Sequence, residues 1–195
     1  MENVDHLTDG IKELKKLNNT IIYVGIPWAD DHLTMIALVQ ETGATIRPKN
    51  GQWLCIPATK EMVGKSPKDV PKLFRTKGKN VLATSDGNGG LDIKFILKKS
   101  VTIPPRPFLR TTKSQFNDKW VGILQKQTSQ ILVGQSTADE TIEMIGKQAV
   151  KEMKKIISQF STPPNANLTQ QLKGFNNPLI DTGKMMESVF YAVEK

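Results

Sequence analysis

The sequence predicts an α+β fold, an antiparallel β-sheet packed against two long α-helices with a basic β-hairpin insertion. Three observations predict it. Two long stretches, about 112–133 and 137–160, carry apolar residues at helical spacing. Short β-branched and aromatic runs occupy 20–26, 45–47, 52–56, 80–84, 91–99 and 188–193. Gly- and Asn-rich turns join neighbouring runs, which suits antiparallel pairing. No repeat divides the chain, so the expectation is a single domain over 1–195 with a basic insertion at about 59–99.

Taken in order, His6 to Leu17 sets Leu7, Ile11 and Leu14 on one side of a helix and Lys12, Lys15 and Lys16 on the other. Asn18-Asn19 stops it. Thr20 to Ile26 is a strand ended by Pro27. Asp30 or Asp31 caps a second helix through Met35, Ile36, Leu38 and Val39, and Gly43 lies just past its end. Thr45 to Arg47 and Gln52 to Ile56 read as strands about a Lys49-Asn50-Gly51 turn, a hairpin signal. Residues 59 to about 80 are a basic loop with one helical turn around Val70 to Phe74. A second hairpin joins Asn80–Thr84 to Leu91–Lys99 across Ser85 to Gly90.

After Ile103-Pro104-Pro105-Arg106-Pro107 comes the first long helix, from about Thr112, which has capping-box spacing to Gln115. Thr137 and Glu140 form a second such box. The helix they open carries Ile142, Ile145, Ala149, Met153, Ile156 and Phe160 as an apolar stripe, with acids early and lysines late, as the helix dipole favours. Thr162-Pro163-Pro164 ends it. A polar connector leads to Pro178-Leu179-Ile180-Asp181-Thr182-Gly183, then a helical turn and a last strand from Ser188 to Val193.

Hydrophobic residues at 38% and charged residues at 24% are those of an ordinary soluble globular chain. No apolar run approaches the ~20 residues that span a bilayer, and the acidic start Met1-Glu2-Asn3-Val4-Asp5 is unlike a secretory signal. The expected location is therefore the compartment of synthesis. Cys55, the only cysteine, cannot form an internal disulfide and reads as a small buried hydrophobe in a strand. The net charge of +8 is lopsided: residues 60–117 hold thirteen basic and four acidic side chains. Such a segment suits nucleic acid or an acidic partner, or forms a plain solvated face.

Asp181-Thr182-Gly183 behind Leu179-Ile180 has the wording of an aspartic-protease loop. That chemistry needs two carboxylates sharing a proton, and the chain has one such loop with too few residues after Gly183 to close a protease barrel. A turn in which Asp181 or Thr182 accepts backbone N–H groups explains the same residues. Asp86, Asn88 and Asp92 imitate a calcium loop, but Leu91 and Leu97 stand where Gly and Glu are required. Nucleotide-binding, serine-hydrolase and zinc-protease motifs are absent. No catalytic, cofactor or metal-binding residue is expected.

Two separated stretches matter together: IPPRPFLR, from Ile103 to Arg110, and NPLIDTGKMMESVFYAV, from Asn177 to Val193. Two helices and the connector TPPNANLTQQLKG lie between them. This order resembles the tailed-bacteriophage virion-morphogenesis proteins, the tail-completion or neck family; VGI near the N-terminus and the later ETGATI look like the family's first half. The resemblance implies a structural virion protein that completes the tail and joins it to the head, without a cofactor, as a ring of identical subunits around the DNA passage. It implies the chain itself, portal-side neck proteins and tail terminator or tube proteins as partners, with non-specific contact to genomic DNA and no membrane. It places the protein in the virion, and in the host cytoplasm during assembly. Pro105, Pro107, Phe108, Leu109, Pro178, Asp181, Thr182 and Gly183 are its structural markers. Lys94, Lys98, Lys99, Arg106, Arg110 and Lys113 are the candidates for subunit or DNA contacts, with local capping of carbonyls as the alternative for Arg106 and Arg110. The competing function is a nucleic-acid-binding module built on residues 60–117.

Overall fold

The computed structural model describes residues 2–195, with side chains from Leu7 onward. In chain order the elements are α1 (Glu2–Asn18), β1 (Ile21–Gly25), α2 (Asp31–Thr42), β2 (Ala44–Ile46), β3 (Leu54–Pro57), β4 (Phe74–Arg75), β5 (Val81–Ser85), β6 (Leu91–Lys98), β7 (Val101–Ile103), α3 (Phe108–Leu132), α4 (Ala138–Gln159), α5 (Asn167–Lys173), α6 (Lys184–Glu187) and β8 (Phe190–Glu194). The fold is α+β with antiparallel sheets throughout.

Where one domain is expected, the chain forms two compact units. A helical unit comprises 1–42, 106–162 and 177–195; a β-rich unit comprises 43–105 and 163–176. The expected insertion at 59–99 is thus part of a larger body that also recruits the connector after α4. The single predicted sheet is three: β1–β8, β2–β7, and β3-β6-β5-β4.

In the helical unit, α4 is the central element. Thr137 Oγ1 accepts from Glu140 N at 3.2 Å while Glu140 Oε2 accepts from Thr137 N at 3.0 Å, the reciprocal cap the sequence predicts. Its stripe from Ile142 to Ile157 is buried, against α3 on one side and the β1–β8 ribbon on another. Gly146 makes the second contact possible: a Cβ there would lie 2.4 Å from the Tyr191 ring of β8. The core joins Ala37, Phe108, Met153, Ile157, Leu179 and Val189.

Helix α3 starts at Phe108, four residues before the predicted Thr112. Thr112 is buried inside the helix, its hydroxyl donating to Phe108 O at 2.7 Å, so it caps nothing. The cap comes from elsewhere in the chain: the Glu41 carboxylate at the end of α2 accepts Leu109 N at 2.9 Å and Arg110 N at 3.3 Å. A carboxylate on the first free N–H groups satisfies them and complements the dipole. Glu13 of α1 treats α4 likewise, accepting Ala138 N at 2.7 Å.

In the β-rich unit the Lys49-Asn50-Gly51 turn does not close a hairpin. β2 pairs with β7 (Ile46 opposite Val101) and β3 with β6 (Leu54 opposite Lys98), so residues 47–53 loop out opposite only Ser100 and Lys99. The local Asn-Gly preference is met, with Gly51 at φ 93°, but the ladder partners are distant. The expected helical turn at Val70–Phe74 is a 3-10 turn at Pro67–Asp69, because Ser66 and Asp69 cap each other reciprocally. Phe74-Arg75 pairs instead with β5, and Cys55 of β3, expected to be buried, is exposed. The β5–β6 hairpin forms where predicted, its tip tied by Asp86 Oδ1 accepting Asn88 N at 2.9 Å and Gly90 N at 2.7 Å.

Candidate functional site

The two marker stretches are joints of the helical unit. Phe108 from the first and Leu179 from the second meet in one buried cluster with Ile156 and Ile157 of α4. Around Phe108 the polar groups are all engaged. Arg106 N donates to Gln40 O at 2.6 Å, and its guanidinium to Gln40 Oε1 at 2.8 Å. Arg110 Nε donates to Glu41 Oε1 at 2.9 Å and its Nη2 to Glu41 O at 2.9 Å. Both arginines thereby serve the C-terminal turn of α2, whose last carbonyls have no helical partner. Arg106 is 4% exposed, and burial lowers its pKa from the ordinary guanidinium value. It cannot be a lumen or partner contact, and that expectation is corrected. Arg110 remains exposed at the surface while tied to Glu41.

The second stretch is held by a residue the sequence reading passed over. Asn177 Nδ2 donates to Ile157 O at 3.2 Å and Ser158 O at 2.8 Å; its Oδ1 accepts Leu179 N and Ile180 N, both at 2.9 Å. One amide thus closes the end of α4 and turns the chain into the core. Asp181 and Thr182, predicted to hold this turn, are exposed, and the turn's bonds run to Asn177 instead. Gly183 stands at the α6 N-cap with φ 86°, a value that favours glycine. Pro178 and Leu179 are buried. A cleft of about 300 Å³ beside the turn is lined by Asp30, His32, Asp181, Thr182 and Lys184. Asp30, the other carboxylate in it, accepts Leu33 N as the α2 cap at 2.9 Å.

The remaining candidates fall on different bodies. Lys113 is exposed on α3 in the helical unit; Lys94, Lys98 and Lys99 belong to the β-rich unit. Pro105 ends that unit, and its ring lies 2.9 Å from where a Gly43 Cβ would stand. The basic run of 60–117 is therefore divided between the two units. By unit the division is sharper. Residues 43–105 and 163–176 hold thirteen Lys and Arg against four Asp and Glu, a net +9, which leaves −1 of the chain's +8 for the helical unit.

Within the β-rich unit the two signs separate again along the four-stranded sheet. At the β5–β6 tip end lie all four acids. Lys94 pairs there with Asp92 at 2.7 Å and Glu61 at 3.7 Å, and Lys65 with Glu61 at 3.6 Å. The hydrogen bond that Lys94 donates to Asp92 chiefly raises the Lys94 pKa, so this lysine is held as a local cation rather than offered to a partner. The ladder puts Lys98 and Lys99 at the other end, with Trp53 before β3 and the β4–β5 turn carrying Lys77 and Lys79. Leu97 N donating to Asn80 O at 2.8 Å joins that turn to the end of β6. Arg75 stands 5.1 Å and Lys99 5.8 Å from the Trp53 ring centre, within cation–π range. Among the described residues, none of Arg75, Lys77, Lys79, Lys98 and Lys99 has a carboxylate partner. Arg75, Lys77 and Lys79 belong to the basic loop of residues 59 to about 80, and their spacing about Gly78 is legible in the sequence.

Among the described residues no group of three His, Cys, Asp or Glu could hold a metal, and no helix is long and apolar enough to cross a membrane. Comparisons with protein-family models, with curated proteins and with solved structures found no match.

Proposed function

We propose that this chain is a structural protein of the phage neck or tail top, completing the tail and joining it to the head as a ring of identical subunits around the DNA passage. The observation that carries the reading is the meeting of the two marker stretches. Phe108 and Leu179, some seventy residues apart, enter one core cluster, and Arg106, Arg110 and Asn177 hold the adjoining helix ends. The likeness therefore rests on the framework of one folded unit rather than on two unrelated phrases. Those polar groups serve helix ends, the work of an assembly part rather than of a reaction centre.

The experiment is negative-stain imaging of particles assembled without this protein. Filled heads separate from tails are expected. Complete, normally joined virions would overturn the proposal.

A second reading, a nucleic-acid-binding module, is favoured by the +9 on the β-rich unit. The two are compatible, since a ring around DNA presents part of each subunit to the duplex.

A further inference from the structure

We infer that the end of the four-stranded sheet formed by Arg75, Lys77, Lys79, Lys98 and Lys99 around Trp53 is a docking surface for the phosphodiester backbone of duplex DNA. It refines the nucleic-acid reading to one end of one sheet, and it holds or fails whether or not the chain is a virion part.

The first ground is charge placement. The four acids of the unit stand at the opposite end of the sheet, where Glu61 and Asp92 neutralise Lys65 and Lys94. The basic end has no such neutralisation, and Arg47 and Lys49 on the loop leading to Trp53 add to it. Like charges so gathered repel one another, which leaves a standing attraction for a polyanion.

The second ground is shape. The cations stand at the ends of two strands, β4 and β6, and on the β4–β5 turn of a single hydrogen-bonded sheet, so the scaffold fixes their spacing. Arg75 is steadied by Asn80 Oδ1 at 3.3 Å and by the Trp53 ring, which Lys99 also approaches. A shallow groove of about 450 Å³ runs along Arg75 to Asn80, open at the β4–β5 turn.

The third ground selects the partner. Interfaces between proteins are poor in lysine at their centres and rich in aromatic and apolar anchors. Four of these five cations are lysines, and the Trp53 ring that Arg75 and Lys99 approach has its indole nitrogen buried. Point charges without an apolar anchor suit phosphates, which are recognised by charge and position and carry no sequence information. The predicted binding is therefore sequence-independent and steeply salt-dependent.

The test uses the full-length protein and a short fluorescent duplex of mixed sequence, read by anisotropy. A surface that neutralises about four phosphates loses roughly a hundredfold in affinity between about 50 and 200 mM salt. K77Q/K79Q/K98Q/K99Q should weaken binding by about tenfold or more and flatten the salt slope. K126Q/K151Q/K155Q/K184Q removes the same charge from exposed positions of the helical unit and should leave affinity within about twofold. All eight side chains are exposed, and circular dichroism of both variants checks the fold. Absence of duplex binding by the wild type would overturn the inference. So would equal losses in the two variants, which would mean net charge alone, or displacement of the duplex by polyglutamate at equal charge concentration, which would mean an acidic protein partner. Failure here leaves the imaging of particles untouched, and the converse also holds.

Discussion

At the scale of single residues, the groups that decide this structure are carboxylates and amides bonded to helix ends far away in sequence. Glu41 accepts two N–H groups of α3 and the Arg110 guanidinium. Glu41→Ala should therefore destabilise the protein by about 1–3 kcal/mol, the cost of uncapping a helix and stranding its partners. Asp181→Asn, on an exposed carboxylate, should stay within about 0.5 kcal/mol. Urea unfolding of both variants separates them; a larger loss for Asp181→Asn would reverse the assignment of the turn to Asn177. Glu152, 3% exposed between the two long helices, accepts Lys119 Nζ, Trp120 Nε1 and Gln148 Nε2. Burial pushes its pKa up, but the three hydrogen bonds and the Lys119 charge outweigh that, and it lies below the usual carboxylate value. In acid the unfolded chain therefore takes up this proton before the folded one. The stabilisation is complete above the unfolded value, about 4.3, and is lost as pH falls through the lower folded value. Glu152→Gln should lower stability at neutral pH and flatten the loss as pH falls below the unfolded value of about 4.3, measured by thermal melts across pH. An unchanged slope would assign acid sensitivity to other carboxylates.

At the scale of elements, α4 was the most legible part of the chain. Its cap is local, its stripe is regular and its charges follow the dipole, so tertiary contacts only added to what the sequence specified. α3 was legible as a helix but not in its start, because its cap belongs to α2. The 49–51 turn shows the opposite failure: the local signal was right, but strand partners 38 to 59 positions away took the ladder. Gly146 exposes a similar conflict between local and tertiary demands. Alanine is the better helix residue by about 1 kcal/mol, yet a Cβ would enter the Tyr191 ring. Gly146→Ala should thus destabilise by about 1–3 kcal/mol, the usual cost of overpacking, read as a lowered melting temperature. A raised melting temperature would mean that β8 yields freely.

At the scale of the whole molecule, the sequence's lopsided charge becomes a property of one body. The +9 of residues 60–117 in the sequence and the +9 of the β-rich unit are different sets: Arg106, Arg110 and Lys113 leave, while Arg47, Lys49 and Lys173 join. The loss matters more than the equal totals suggest. The departing arginines cap a helix, whereas Arg47 and Lys49 stand on the loop that leads to the basic end of the sheet. The stretch from Asn177 to Gly183 is likewise tied into the larger body, as a joint at the end of α4.

The sequence by itself determined the α+β class, the second long helix with its cap, the β5–β6 hairpin and the excess of positive charge. Each depends on residues near one another in the chain, where spacing, capping chemistry and turn preference act directly. The division into two units, the distant caps from Glu13 and Glu41, the Asn177 clamp and the gathering of cations about Trp53 were decided only by tertiary structure. These join residues up to 125 positions apart, and no local preference encodes which distant backbone group a side chain will meet.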